Sequence, residues 1–116
     1  MVHKKWFLQP RDLLGLTPTR ARDLIAQCFY QSERDIYLAS QRAQGHAPSD
    51  EQIRKMVDGT VRRAFLDTEH DYDHPSKEAL KDVVNVLMRK AAAWKTPPEL
   101  IVHHREELGR LIASLP

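Results

Sequence analysis

The feature that most constrains the fold is a pattern that occurs four times in this chain. Each time, residues typical of a helix start are followed by apolar residues at helical spacing. Thr17 is followed by Pro18, which suits the first helical position because proline has no amide proton to leave unpaired there. Ser49 is followed three residues later by Gln52, which is the spacing of a capping box. Two later segments begin in the same manner. These signals predict an all-α chain with four helices, over about residues 18–44, 50–67, 77–95 and 97–115.

Apolar residues within the first two segments follow the three- and four-residue steps of a helix face. In the first helix the inward stripe contains Ala21, Ile25, Cys28, Ile36, Ala39 and Ala43, and Gly45 is placed to end the helix. In the second helix the stripe contains Ile53, Met56, Val57, Thr60, Val61, Ala64 and Phe65. Each helix therefore has one face suited to a shared core.

The third helix has a wider apolar face than the others. Its start is marked by Ser76, and its apolar residues are Ala79, Leu80, Val83, Val84, Val86, Leu87, Ala91 and Trp94. A face this wide indicates more than one packing neighbour and thus a central position. The fourth helix is predicted to begin with a capping box of Thr96 and Glu99, and its inward stripe includes His104. A short helical turn is predicted at 10–14, ended by Gly15.

The predicted helices are joined by short connections, and the chain has only four glycines and no alternating strand pattern. Short connections favour neighbouring helices. We therefore predict a compact antiparallel or orthogonal bundle, with residues 1–116 forming a single helical domain that carries a basic N-terminal arm (1–16). A chain of 116 residues is long enough for one core.

The composition narrows the class of protein. Cys28 is the one cysteine, so the chain has no internal disulfide and no thiolate cluster for a metal, which favours a reducing compartment. No apolar run reaches the roughly 18 residues of a membrane span. The first ten residues also lack the apolar region of a secretory signal. We therefore expect a cytoplasmic protein that makes no membrane contact.

Aromatic residues give the leading functional hypothesis. Tyr30 and Tyr37 are seven residues apart and lie roughly opposite the inward stripe of the first helix, on a mixed face with Ala26 and Glu33. Either the N-terminal segment around Trp6 and Phe7 covers this face, or the face binds a partner, since tyrosine and tryptophan provide large contact areas at low entropic cost. With no convergent catalytic motif, we predict a non-catalytic interaction or regulatory domain without a cofactor, which binds a protein partner or itself through Tyr30, Tyr37, Trp6 and Phe7.

Residues 69–74 give an alternative hypothesis. This Glu-His-Asp-Tyr-Asp-His stretch offers imidazole nitrogens and carboxylate oxygens that suit a divalent metal ion, with His70, Asp71 and His74 as candidate ligands. The same composition also suits a solvated acidic turn that leads into the third helix, and Pro75 disfavours a helical geometry at His74.

Two family resemblances involve His70. The His70-Asp71 pair in an all-α chain resembles the HD-type metal phosphohydrolases, which implies an upstream histidine and a downstream aspartate as further metal ligands; His46 and Asp82 are the candidates. Arg63, followed after six residues by His70, resembles the arginine–histidine spacing of HEPN-type ribonucleases. In that family a polar residue usually follows the arginine, whereas the next residue here is alanine.

The two adjacent histidines of the fourth helix are predicted to have a structural role. His103 and His104 are adjacent and point about 100° apart on a helix, so they cannot chelate one ion together, and His104 is expected in the core or at its boundary.

Residues 1–22 carry five Lys or Arg and one acidic residue, although the net charge of the chain is only +2. The basic arm with Trp6 gives a third hypothesis, an accessory protein that binds nucleic acid.

Overall fold

The structure of the protein is a computed structural model, and it describes residues 4–116. The helices are α1 (Pro18–Ala43), α2 (Asp50–Asp67), α3 (Lys77–Ala93) and α4 (Pro98–Ala113), preceded by a 3₁₀ helix at Pro10–Leu13. The predicted all-α bundle is confirmed, and every predicted helix end agrees to within two residues. The predicted N-terminal arm starts in residues 1–3, which lie outside the described residues. Within the described chain, no helix combines the length and apolar character needed to cross a membrane.

Three of the four predicted caps are present. The Thr17 hydroxyl accepts a hydrogen bond from the amide of Arg20 at 3.2 Å, and the Ser76 hydroxyl accepts one from the amide of Ala79 at 3.0 Å. At the start of α2, the Ser49 hydroxyl accepts from the Gln52 amide, and the Gln52 side chain accepts from the Ser49 amide, which completes the capping box. These caps pair amide groups that have no partner inside the helix.

The start of the fourth helix differs from the prediction. α4 begins at Pro98 with Pro97 as its N-cap, and no side chain caps it. The predicted capping box of Thr96 and Glu99 is wrong because Thr96 is one residue too early. Its hydroxyl is buried and donates to the carboxylate of Glu33 on α1 instead. A tertiary hydrogen bond has therefore replaced the local one.

The packing confirms a central α3, which contacts α1, α2 and α4. α1 likewise contacts the three other helices. One hydrophobic cluster joins all four helices and includes Trp6 of the N-terminal arm. The prediction that Trp94 faces inward needs correction: its side chain is 36% exposed at the end of α3, although its ring contacts Phe29 at a centroid distance of 5.8 Å.

The predicted inward stripe of α1 is correct only for its first two thirds. Buried residues of α1 end at Glu33, whereas Ile36 and Ala39 are half-buried and Ala43 is exposed. α1 has 26 residues and its neighbours have 16 to 18, so the last turns of α1 have fewer helices beside them. The first part of α1 thus serves the core, and its last part borders a more open surface.

Candidate functional site

Tyr30 lies on the side of α1 that faces the first turns of α2. Its hydroxyl donates a hydrogen bond to Asp50, and the Arg54 guanidinium stacks over its ring, 4.2 Å from the ring centroid. Asp50 also accepts hydrogen bonds from Arg54 at 2.9 Å and from Arg34 at 3.3 Å. The ring and the hydroxyl of Tyr30 are therefore both held by neighbouring charged side chains.

The protonation states support this arrangement. Hydrogen bonds from Tyr30 and then from Arg54 lower the pKa of Asp50 to about 2. Partial burial, together with the hydrogen bond to Asp50, raises the pKa of Tyr30 above its usual value. At neutral pH the carboxylate is charged and the phenol keeps its proton, so the hydrogen bond between them persists.

Two cavities open beside Tyr30. One has a volume of about 290 Å³ and the other about 450 Å³. Gln27, Tyr30 and Arg54 line both cavities, so the cavities meet at the tyrosine. A third cavity, of about 390 Å³, lies two turns further along α1, where Tyr37 faces the loop before α2. We call this row of cavities along α1 and the start of α2 the α1–α2 groove.

The lining of the α1–α2 groove is polar and carries charges of both signs. The smaller cavity at Tyr30 has Asp23, Asp58 and Arg20 in its wall, next to the apolar side chains of Ala26 and Val57. The larger one contains Lys4, Arg34, Asp35 and Asp50. Such a surface suits recognition of polar and charged groups around an aromatic contact, because each sign of charge in a partner meets its opposite.

The face that carries the two tyrosines differs in part from the prediction. Ala26, Tyr30 and Tyr37 are half-buried, as a mixed face requires. Glu33, which shares the helical spacing of this face, differs from the expectation of a mixed face because its side chain is fully buried. The hydrogen-bonding and stacking partners of Tyr30 come from α2, and from the arm Lys4 lines the larger cavity.

Trp6 and Phe7 occupy different environments. The Trp6 side chain is only 4% exposed and belongs to the core cluster, whereas Phe7 is 54% exposed. The main chain of Trp6 lies between two histidines of α4: its amide donates to His104 Nε2 at 2.9 Å, and its carbonyl accepts from His103 Nε2 at 2.9 Å. The Phe7 ring packs edge-on against His103 with a centroid distance of 4.8 Å.

The prediction that His104 is a core histidine is confirmed, since none of its surface is exposed. Because Nε2 accepts a hydrogen bond, the neutral ring carries its proton on Nδ1. That Nδ1 atom is buried and, among residues 4–116, has no hydrogen-bond partner. Burial, reinforced by the neighbouring His103, lowers the pKa of His104 to about 4. His104 is therefore neutral at physiological pH and serves as an acceptor for the arm.

A second set of buried polar groups lies near the start of α4. The Ser32 hydroxyl donates to Glu33 at 2.6 Å, and the Thr96 hydroxyl donates to the same carboxylate at 2.8 Å. Cys28 is also fully buried, and its pKa is raised by burial and further by the carboxylates of Glu107 and Glu33. A thiol in this setting stays protonated, so it acts as a small apolar side chain, as the sequence predicts.

In the loop between α2 and α3, the candidate metal ligands at residues 69–74 are divided between two separate pairs of side chains. His70 Nε2 lies 2.8 Å from Asp82 Oδ2 of α3, whereas His74 Nδ1 lies 3.3 Å from Asp71 Oδ2. The amide of Asp73 also donates to Asp71 and, with His74, lowers the pKa of that carboxyl. Among the described residues, no group of three or more His, Cys, Asp or Glu side chains is arranged to hold a metal ion.

The two family resemblances are met only in part by this geometry. Asp82 does approach His70, as the HD-type resemblance implies. His46 lies before α2 and His70 after it, so the 18-residue helix, about 27 Å long, separates them. Arg63 forms an ion pair with Asp67 at 2.9 Å. The metal site at His70, Asp71 and His74 stays a prediction.

The interaction between the arm and α4 is not predicted by the sequence patterns. The patterns exclude joint chelation by His103 and His104 and place His104 in the core or at its boundary, but they do not indicate what the two rings bind. Adjacent positions on a helix can reach the two sides of one peptide unit. Only the structure shows that Glu107, three residues after His104, is also buried on this side of α4. No family model, curated protein or solved structure matches this chain in the comparisons.

Proposed function

We propose that this chain is a small non-catalytic interaction or regulatory domain that binds a protein partner, or a second copy of itself, through the α1–α2 groove. The observation that carries the proposal is the position of Tyr30, which is held between two adjoining cavities by Asp50 and Arg54. An aromatic side chain that is fixed before binding loses little conformational entropy when a partner packs against it.

The partner that fits the groove is a polar segment of a protein. Small-molecule sites are usually enclosed and mainly apolar, with a few polar groups that set orientation. The α1–α2 groove instead has charged residues of both signs along its walls, and its cavities follow one another along α1 from Arg20 to Gln41. A partner segment with aromatic, acidic and basic side chains would match these walls. The single buried Cys28 supports a reducing, cytoplasmic location.

Selection of peptide ligands tests this proposal before any partner is identified. A peptide library is selected on the full chain, and the affinities of recovered peptides are measured by fluorescence anisotropy. We expect Tyr30→Ala and Tyr37→Ala each to weaken binding about tenfold or more, because truncation of a central aromatic contact typically costs about 2 kcal/mol or more. Chemical-shift changes in labelled protein should fall on α1 and the first half of α2.

The control is Val102→Ala, which shortens an exposed apolar side chain on α4, among the described residues that do not line the groove. Circular dichroism confirms that each variant is folded before affinities are compared. Peptides that bind the two tyrosine variants as tightly as the wild type would place the binding surface elsewhere and refute the groove as the site.

One observation favours a second candidate function, nucleic-acid binding. Lys5, Arg11 and Arg20 line a cavity of about 520 Å³ that also includes Phe7, which is exposed and available for stacking. Contacts to phosphate would make binding fall steeply with salt. Binding of a single-stranded oligonucleotide that weakens between 50 and 200 mM salt (about the range over which such contacts are screened), and that is lost on Lys5→Ala, would support this alternative.

The metal-binding alternative makes a separate prediction. If His70, Asp71 and His74 hold a divalent ion, protein purified without a histidine tag should contain a stoichiometric metal by elemental analysis. Added zinc or manganese should also raise the melting temperature, because a ligand that binds only the folded state stabilises it. Absence of both effects would eliminate the metal-dependent phosphohydrolase hypothesis.

A further inference from the structure

The segment from Lys5 to Leu8 is held on the bundle as a bound peptide would be. Its main chain makes hydrogen bonds to side chains of the helices. The Lys5 carbonyl accepts at 3.0 Å, the Leu8 amide donates at 3.3 Å, and both polar groups of the Trp6 main chain are paired. The helix side chains that form these bonds are those of Gln31 on α1 and of His103, His104 and Glu107 on α4. We call this site the Trp6 socket.

The socket recognises both an extended main chain and one large side chain. Donors and acceptors on α1 and α4 pair with the main chain, while the Trp6 indole enters the core cluster and is 4% exposed. None of these contacts depends on which chain supplies the segment. The same set of interactions forms if residues 5–8 come from another molecule.

The connection between this segment and α1 is suited to act as a hinge. The 3₁₀ helix at Pro10–Leu13 has no buried residue, and Leu14, which follows it, is 80% exposed. Gly15 has a positive φ of 61°, a conformation that glycine adopts without strain and can leave as easily. Asp12 accepts a hydrogen bond from the Gln9 amide within the same segment, and its ion pair with Arg20 is long, at 4.0 Å. Opening residues 10–15 therefore disrupts few contacts.

The hinge is also long enough to reach a neighbour. Extended, the chain from Gln9 to Thr17 spans up to about 30 Å. The two shorter dimensions of the molecule are 27 and 23 Å. An opened arm can therefore place Trp6 in the socket of an adjacent copy.

We propose that the Trp6 socket accepts the N-terminal arm of a second copy, so that two chains exchange residues 5–8 in a symmetric dimer. In this dimer the two hinges run past each other, and Leu13 and Leu14 of both chains become covered. The exposure of these leucines on the monomer is the observation that favours exchange over the arm's return to its own socket.

The protein concentration sets the balance between the closed monomer and the exchanged dimer. An arm on a short linker has an effective concentration in the millimolar range at its own socket, so exchange without new contacts needs about millimolar protein. Covering a leucine side chain strengthens association by roughly ten- to hundredfold. With Leu14 of both chains covered, the two contributions together strengthen association by roughly a hundred- to ten-thousandfold, so we expect a dimer dissociation constant of about 0.1–10 µM.

Sedimentation velocity on the full chain, at concentrations up to about 1 mM, tests this expectation against the millimolar limit for exchange without new contacts. Leu14→Ser should raise the dimer dissociation constant at least tenfold and leave the melting temperature of the monomer unchanged. Leu66→Ser is the matched control, because Leu66 is an exposed leucine (67%) on α2, far from the hinge in sequence, and it should leave the dimer unaffected. A wild type that stays monomeric at all concentrations, or equal effects of the two variants, overturns the proposal.

The exchange itself is seen in a mixture of isotope-labelled and unlabelled wild-type chains. Isotope-filtered spectra should show contacts between the Trp6 amide proton of one chain and the His104 ring of the other. Contacts found only within one chain refute exchange. The result is separable from the test of the α1–α2 groove: Tyr30→Ala should leave this dimer intact, and Leu14→Ser should leave peptide binding in the groove intact.

Discussion

Acidification should weaken the fold through His104 before most carboxylates of the protein are protonated. In the native state Nε2 of His104 accepts the amide proton of Trp6, so the ring cannot take a second proton there without losing this hydrogen bond. The ring is fully buried, and both His103 and Lys5 oppose its positive charge, whereas Glu107 favours it. The native pKa is consequently about 4, below the ordinary value of 6.5.

The sign and size of the effect follow from these two values. Above a pH of about 6.5, His104 is neutral in both the folded and the unfolded chain, and its contribution does not change with pH. As the pH falls from about 6.5 to about 4, the unfolded chain binds a proton that the folded chain excludes, so the free energy of unfolding decreases. The total loss is about 3 kcal/mol, at about 1.4 kcal/mol for each unit of pKa difference.

Urea denaturation followed by circular dichroism at a series of pH values measures this loss. The comparison variant is His104→Gln, whose side-chain carbonyl can still accept from the Trp6 amide but does not titrate. We expect the wild type to lose more stability than this variant between pH 6.5 and pH 4, which is the window set by the two pKa values. Parallel curves for the two proteins in that window, or an NMR titration of His104 near its ordinary pKa, would show that the reasoning is wrong.

Three further predictions concern the core and its buried polar groups. Leu87→Ala should reduce the free energy of unfolding by about 2–5 kcal/mol because Leu87 is fully buried, whereas Leu66→Ala should change it by less than about 0.5 kcal/mol; equal urea midpoints would show that the helix facing is wrong. Thr96→Val should lower the free energy of unfolding, measured by the same urea titration, by about 1–3 kcal/mol, because it removes a hydroxyl donor from the buried Glu33 carboxylate. The Cys28 thiol, whose pKa is raised by burial, should react with a thiol reagent only as fast as the protein unfolds, and rapid labelling of the native chain would contradict its burial.

Helix positions were predictable because the signals that set them are local. The Ser49–Gln52 capping box involves residues three apart, and both hydrogen bonds form as the spacing indicates. The regular apolar stripe of α2 likewise predicts the burial of Val57 and Val61. Such features depend on neighbours within one helical turn, so they are the same whatever the helix packs against.

Two differences between prediction and structure arise where a side chain has a distant partner that the local pattern does not contain. Thr96 is a reasonable cap for α4, but the structure brings the buried Glu33 carboxylate within 2.8 Å of its hydroxyl. Glu33 itself is expected on the mixed face of α1 because of its helical spacing from Tyr30 and Tyr37. Hydroxyl donors from α1 and from the α3–α4 loop meet the carboxylate and offset part of the cost of its burial.

Local sequence signals were thus sufficient for the helices, their approximate ends, the central α3 and the burial of Cys28 and His104. They do not predict that α2 holds Tyr30 between two cavities, or that the two adjacent histidines of α4 bind the main chain of Trp6. The difference lies in the range of the interactions. Helix formation and amphipathic spacing act between residues three or four apart, whereas the contact of Trp6 with His104 joins residues 98 positions apart and exists only after the bundle has assembled.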